Sequence, residues 1–105
     1  MTTVTLYFKD ELLAGFHIKG HSTASAEDDL GRIVCSAISS AAYMTANTIT
    51  EIVGADADIT VEDGEMALQL KNEFEGCLQI LSGFMLHMEQ LSNQYPDYVT
   101  LTTEV

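Results

Sequence analysis

TTVTLYFKDELLAGFHIK, residues 2–19, is the stretch that predicts the fold, because apolar and polar residues alternate along both of its halves. Alternation with a period of two places every second side chain on one face of a strand. The apolar residues that share a face are Val4, Leu6 and Phe8 in the first half, and Leu12, Ala14, Phe16 and Ile18 in the second. With Asp10-Glu11 as the turn, the stretch predicts a β-hairpin that ends at Gly20-His21.

The remaining residues predict a helix, a second hairpin, a second helix and a last strand. Residues 22–31 carry small and acidic side chains without an apolar period, which predicts a loop. Residues 33–53 have helical spacing and many small side chains, so we expect this helix to be central and largely buried. Residues 56–71 predict a hairpin around Asp63-Gly64, and Asn72 with Glu75 resembles a capping box for the second helix.

A break at the only proline, Pro96, separates the second helix from a short last strand. The predicted order is therefore ββαββαβ. It indicates an α+β fold, a single domain over residues 1–105 in which a mixed sheet packs with two helices.

Composition excludes several classes of function. The 105 residues include 16 acidic and four basic side chains, for a formal net charge of −12, and nucleic-acid binders need the opposite sign. No apolar run approaches membrane-spanning length, and the N-terminus lacks the features of a signal peptide, so we expect a cytoplasmic protein. Without a Walker or Rossmann glycine pattern or a calcium-loop pattern, we expect no cofactor and no metal.

The two cysteines, Cys35 and Cys77, are too few for a disulfide scaffold. Cys77 lies within an apolar helical stripe and is expected to be a small buried residue. Cys35 lies near a predicted helix start, where backbone N–H groups and the helix dipole favour a thiolate. The alternative for Cys35 is an ordinary packed cysteine.

His21 lies fourteen positions before Cys35, at the end of the first hairpin, where one loop brings strand and helix together. A histidine beside a thiol accepts its proton and stabilises the resulting ion pair. Gly20 allows an unusual backbone angle just before it. Asp28 and Asp29 are the nearest candidates to orient the imidazole, and the alternative for them is charge complementing the helix N-terminus.

The other two histidines are weaker candidates. His17 lies on the strand face opposite Phe16, and His87 lies off the apolar stripe of the second helix, so both are expected to be solvated. A metal site of His17, His21 and Cys35 is an alternative, although the sequence has no CxxC or HxxxH pair.

Two segments, Gly20-His21-Ser22 and Gly31 to Ser39, resemble the motifs of the ribosomal-processing cysteine protease family, Prp. The similarity extends over nearly the whole chain. It departs at Ser22, where the family has alanine, and at Arg32, where the family has aspartate three places before the cysteine. If that aspartate orients the histidine, Asp28 or Asp29 has to replace it here.

The resemblance implies a cysteine endopeptidase that removes the N-terminal extension of a large-subunit ribosomal protein precursor, cutting after a phenylalanine. It implies His21 as the base, Cys35 as the nucleophile and Ser39 as a supporting residue, and it implies a homodimer. The alternatives are a non-catalytic binding module of ribosome assembly and a redox or metal sensor.

Overall fold

The computed structural model describes residues 1–20 and 29–105 and forms two layers, a sheet and a pair of helices on it. The strands are β1 (Thr2–Lys9), β2 (Leu12–Lys19), β3 (Ala57–Glu62), β4 (Glu65–Leu70) and β5 (Val99–Glu104), and the helices are α1 (Asp29–Asn47), continued by a π-helical segment (Thr48–Val53), and α2 (Leu78–Gln94). The order ββαββαβ and the α+β fold class are confirmed.

The sheet has five strands in the order β3-β4-β2-β1-β5. Neighbouring strands run antiparallel except β1 and β5, which are parallel, so the sheet is mixed as predicted. The parallel pair needs a long connection between its strands, and the rest of the chain supplies it. The first hairpin therefore lies in the middle of the sheet, and the second hairpin forms one edge.

One face of the sheet packs against both helices. Alternate residues of β1, β2 and β4 join residues of α1 and α2 in a single buried cluster that includes Leu6, Phe16, Ile38, Leu68 and Met88. The rings of Phe16 and Phe84 lie 4.4 Å apart between centroids, which ties β2 to α2. A bulge between Tyr7 and Phe8 shifts the register of the first hairpin, so that Leu13 lies opposite Phe8 and is buried. The prediction that Leu12 shares the inward face is therefore wrong, because Leu12 lies opposite Lys9.

Helix α1 differs from its prediction at both ends and on one face. The structure describes it from Asp29 onward, four residues before the start that the spacing indicated, and an acidic residue near a helix N-terminus complements the helix dipole. Its last residues continue as the π-helical segment up to Gly54, whose φ of 78° ends the helix. The expectation that it is largely buried is wrong for its outer face, where Met44 is 68% exposed and Ile52 80% exposed.

The capping box predicted at Asn72 does not form. Helix α2 begins at Leu78, after turns at residues 74–77. The Asn72 side chain instead accepts a hydrogen bond from the Asp56 backbone N–H at 2.8 Å and donates one to the Asp56 carboxylate at 3.1 Å. These bonds join the two ends of the second hairpin, a long-range role that the local sequence pattern does not reveal.

Candidate active site

A cleft of about 180 Å³ lies between α1 and one end of the sheet. Its helix side presents Cys35 and Ser39, and its sheet side includes Gly20 at the end of β2. The remaining lining residues are Thr2, Ile18, Ile38, Ala42, Tyr43, Val61, Glu62, Gly64, Glu65 and Met66. Three of the residues predicted for the site therefore lie around one cavity.

Cys35 lies in the second turn of α1 and is partly exposed. The expectation that its sulfur belongs to the first helical turn is wrong, because the helix begins at Asp29. The unpaired N–H groups of a helix are the first four, so the backbone N–H of Cys35 is not among them. The helix contributes position instead: it holds the thiol on a rigid element at the edge of the cleft.

Gly20 places the end of β2 against the N-terminus of the chain. Its φ is 100°, and a Cβ there would lie 2.5 Å from the Met1 carbonyl oxygen, so only glycine fits. Its N–H donates to the Gly64 carbonyl at 2.9 Å, which fixes β2 beside the second hairpin. This geometry sets the starting point of the residue that follows. His21 itself and Asp28 lie outside the described residues.

Asp29 lies on a different surface of α1 from Cys35. Its carboxylate pairs with the guanidinium of Arg32, three residues later, and both residues border a shallow depression with Ile33 and Ser36. The Asp29 side chain is 84% exposed and the Arg32 side chain 53% exposed, so this ion pair lies in solvent. Asp29 therefore has a local partner at the helix start, and its proposed role in orienting His21 stays a prediction.

Cys77 has the properties of a packed residue, as predicted. Its side chain is 0% exposed and belongs to the core cluster. Burial, and then the nearby Glu73 carboxylate, raise the pKa of the Cys77 thiol above its ordinary value. The protein therefore has one thiol at a cleft and one held neutral inside the core.

His17 is separated from the cleft by the sheet. It pairs with Thr5 of β1 and Ala67 of β4 on the face that carries no helix, and its Nε2 lies 3.5 Å from the Glu65 carboxylate. A metal site shared by His17 and Cys35 is therefore wrong, because the two side chains are on opposite faces. Across residues 1–20 and 29–105, no three His, Cys, Asp or Glu side chains are grouped closely enough to hold a metal.

His87 is exposed on α2, as expected. None of the helices formed by residues 29–53 and 78–94 has the length and apolar character required to span a bilayer.

Sequence reasoning missed the contribution of the second hairpin to the site. Val61, Gly64 and Met66 line the cleft, although they are about thirty residues from Cys35 in sequence. The turn at Asp63-Gly64 was visible in the sequence, but its place beside Gly20 follows from the pairing of β4 with β2. No local pattern encodes that pairing.

A partly exposed thiol that lines a cleft is accessible to a substrate, as the nucleophile of a cysteine-dependent hydrolase must be. A family model described as cysteine protease Prp matches residues 1–100. The chain therefore belongs to the Prp family of cysteine proteases and is an enzyme. This finding does not support the alternatives of a non-catalytic binding module or of a redox or metal sensor. No curated protein matches the sequence.

Solved structures similar to this chain support the same fold. One is the ribosomal processing protease Prp of Staphylococcus aureus with a covalently linked product peptide, which has a TM-score of 0.84 and 20% sequence identity. The match covers 99% of this chain and 100% of that one. The same protease with a substrate peptide gives 0.86 at 18% identity and the same coverage. A Streptococcus mutans protein gives 0.82 at 20% identity, with 98% of this chain covering 93% of that one.

Proposed function

We propose that this protein is an endopeptidase that removes the N-terminal extension of a large-subunit ribosomal protein precursor, with Cys35 as nucleophile and His21 as base. One observation carries the proposal: Cys35 and Gly20 line the same cleft, and His21 is the residue after Gly20. We propose that the His21 imidazole reaches the Cys35 thiol from the end of β2.

The proposed chemistry follows from these two groups. His21 takes the thiol proton, and the Cys35 thiolate attacks the carbonyl carbon of the scissile bond. Collapse of the tetrahedral intermediate breaks the C–N bond, and the imidazolium gives its proton to the departing amine. Water, deprotonated by His21, then hydrolyses the thioester and restores the thiol. Ser39 lines the cleft one helical turn beyond Cys35 and is proposed to support the bound peptide.

Charge and relatives both support a ribosomal substrate. Ribosomal proteins bind RNA phosphates and are basic, whereas this chain has a net charge of −12. Opposite charges accelerate encounter more than they tighten the final complex. The similar structures from Staphylococcus aureus are of a ribosomal processing protease with substrate and product peptides. We propose that the reaction takes place in the cytoplasm, where such precursors are made.

The test is cleavage of the ribosomal precursor encoded in the same genome, with the products identified by mass spectrometry. We expect one cut near its N-terminus, loss of cutting in Cys35→Ala and in His21→Ala, and normal cutting in Ser36→Ala. Ser36 is the matched control because it is an exposed small residue on the same helix turn, outside the cleft. Undiminished cleavage by Cys35→Ala would refute the assignment, as would a precursor that has no extension.

We also propose that the enzyme is a homodimer. The outer face of α1 and the following segment expose Ile33, Met44 and Ile52, which a second copy would cover. Burying large apolar side chains of this kind is the main favourable term in association.

A further inference from the structure

Strand β3 is an open edge of the sheet. It comes first in the order β3-β4-β2-β1-β5, and among the described residues no strand pairs with its outer side. An edge of this kind presents unpaired N–H and C=O groups to any extended segment that approaches it.

The outward-facing groups can be assigned from the register. The two-residue turn at 63–64 makes Glu62 and Glu65 the pair that closes the hairpin, and the Lys71 N–H donates to the Asp56 carbonyl at 2.8 Å at the other end. Hydrogen-bonded and non-hydrogen-bonded pairs alternate along an antiparallel ladder. The even-numbered residues of β3 therefore bond to β4, and Ala57, Ile59 and Val61 direct their N–H and C=O groups away from the sheet.

The same three residues have side chains on the helix side of the sheet, yet neither α1 nor α2 fully covers Ile59 and Val61. Ile59 is 38% exposed and Val61 52% exposed, whereas their partners Leu68 and Met66 on β4 are buried. The opposite side of β3 carries Asp58, Thr60 and Glu62, and the Asp58 carboxylate lies 3.9 Å from the Lys71 ammonium. The edge therefore offers apolar contacts on one side and carboxylates on the other.

This edge is continuous with the cleft, because Val61 and Glu62 at the end of β3 also line the cavity that contains Cys35. We propose that the substrate binds as a sixth strand on β3 and runs from there into the cleft. The mode is β-strand addition, in which main-chain hydrogen bonds supply affinity and alternate side chains supply specificity.

The proposal rests on the proposed function and defines its substrate class. The bound segment is extended, with apolar side chains at every second position toward Ile59 and Val61. Its intervening positions face Asp58 and Glu62, where basic side chains are favoured. An unfolded N-terminal extension of a basic protein meets these requirements. Its backbone is not paired with another strand and is therefore available to pair with β3, and it carries basic side chains.

The direct test is amide hydrogen exchange by NMR on the Cys35→Ala chain, with a synthetic peptide that spans the precursor extension and the first residues after it. We expect the peptide to slow exchange at the amides of Ala57, Ile59 and Val61 by about tenfold or more. The amides of Asp58, Thr60 and Glu62 change less, since they already bond to β4. Binding without slower exchange at the three outward amides would overturn strand addition.

A second test uses the active chain and the same peptide. Ile59→Pro removes an outward N–H while keeping every bond of the β3–β4 ladder, which is the position that an edge strand tolerates for proline. We expect KM to rise about tenfold with little change in kcat, whereas Leu86→Ala, an exposed position of α2 outside both β3 and the cleft lining, keeps the KM of the parent. An unchanged KM in folded Ile59→Pro would contradict the proposal.

The experiments distinguish failure of strand addition on β3 from failure of the proposed endopeptidase function. Normal cleavage and binding without protection of β3 refute strand addition alone and leave the proposed function intact. A peptide that is neither bound nor cut refutes both. If Ile59→Pro does not fold, as judged by circular dichroism, the exchange measurement decides, since it needs no change in β3.

Discussion

Replacing Gly15 by alanine tests whether the close approach of β2 and β4 holds the sheet together. Gly15 is buried and pairs with Gln69, and a Cβ at this position would overlap the Leu68 carbonyl oxygen and lie 3.1 Å from the Gln69 Cα. Both neighbours are backbone atoms, so no flexible side chain can move aside. The strands would have to separate where the second hairpin joins the rest of the sheet.

The cost combines two effects. Overpacking a close-packed interior costs about 1–3 kcal/mol, and weakening one or two ladder hydrogen bonds adds about 1 kcal/mol each. We therefore expect Gly15→Ala to lower the free energy of unfolding by about 3 kcal/mol, a large part of the total for a domain of this size.

Gly83 is the matched control, since it is exposed in the interior of α2 and a Cβ there meets nothing within 4 Å. Gly83→Ala should raise the free energy of unfolding by about 0.5–1 kcal/mol, because alanine loses less entropy in a helix.

Urea unfolding followed by circular dichroism measures both variants. With a slope of about 1.5 kcal/mol per molar urea, the Gly15→Ala midpoint should fall by about 2 M and the Gly83→Ala midpoint should rise by about 0.5 M. A Gly15→Ala midpoint within about 0.3 M of the parent would refute the argument, because it would mean that β2 and β4 separate without cost.

Four further outcomes are expected. Iodoacetamide should label Cys35 in the native protein and Cys77 only after unfolding, and comparable native rates by mass spectrometry would contradict the burial of Cys77. Above the ordinary thiol pKa of 9.0, the unfolded chain loses the Cys77 proton before the folded chain does, so stability should fall by up to about 1.4 kcal/mol per pH unit. That slope should be absent in Cys77→Ala and kept in Cys35→Ala. Light scattering should give twice the 11.5 kDa chain mass, and Met44→Glu should give the monomer; an unchanged mass would place the dimer contact elsewhere. Asn72→Ala removes both side-chain bonds to Asp56 and should cost about 1 kcal/mol, so an unchanged urea midpoint would show that these bonds add nothing.

The candidate site divides into a part that local sequence predicted and a part that it did not. The thiol near a helix start and the glycine at a strand end were visible as short patterns, and both line the cleft. The exact start of the helix was not visible, so Cys35 was expected in the first turn and lies in the second. The pattern at Asn72 is typical of a helix cap, whereas its side-chain hydrogen bonds go to Asp56, sixteen residues away.

The sequence by itself determined the order of the elements, the faces of the central strands except at Leu12, and the burial of Cys77, because each depends on a period of two or of about 3.6 residues within one segment. The tertiary structure decided which hairpin became the edge, that His17 lies behind the sheet from Cys35, and that Val61 borders the cleft. These facts depend on pairing between segments far apart in the chain. Such pairing is set by the packing of the whole core, and no single segment carries that information.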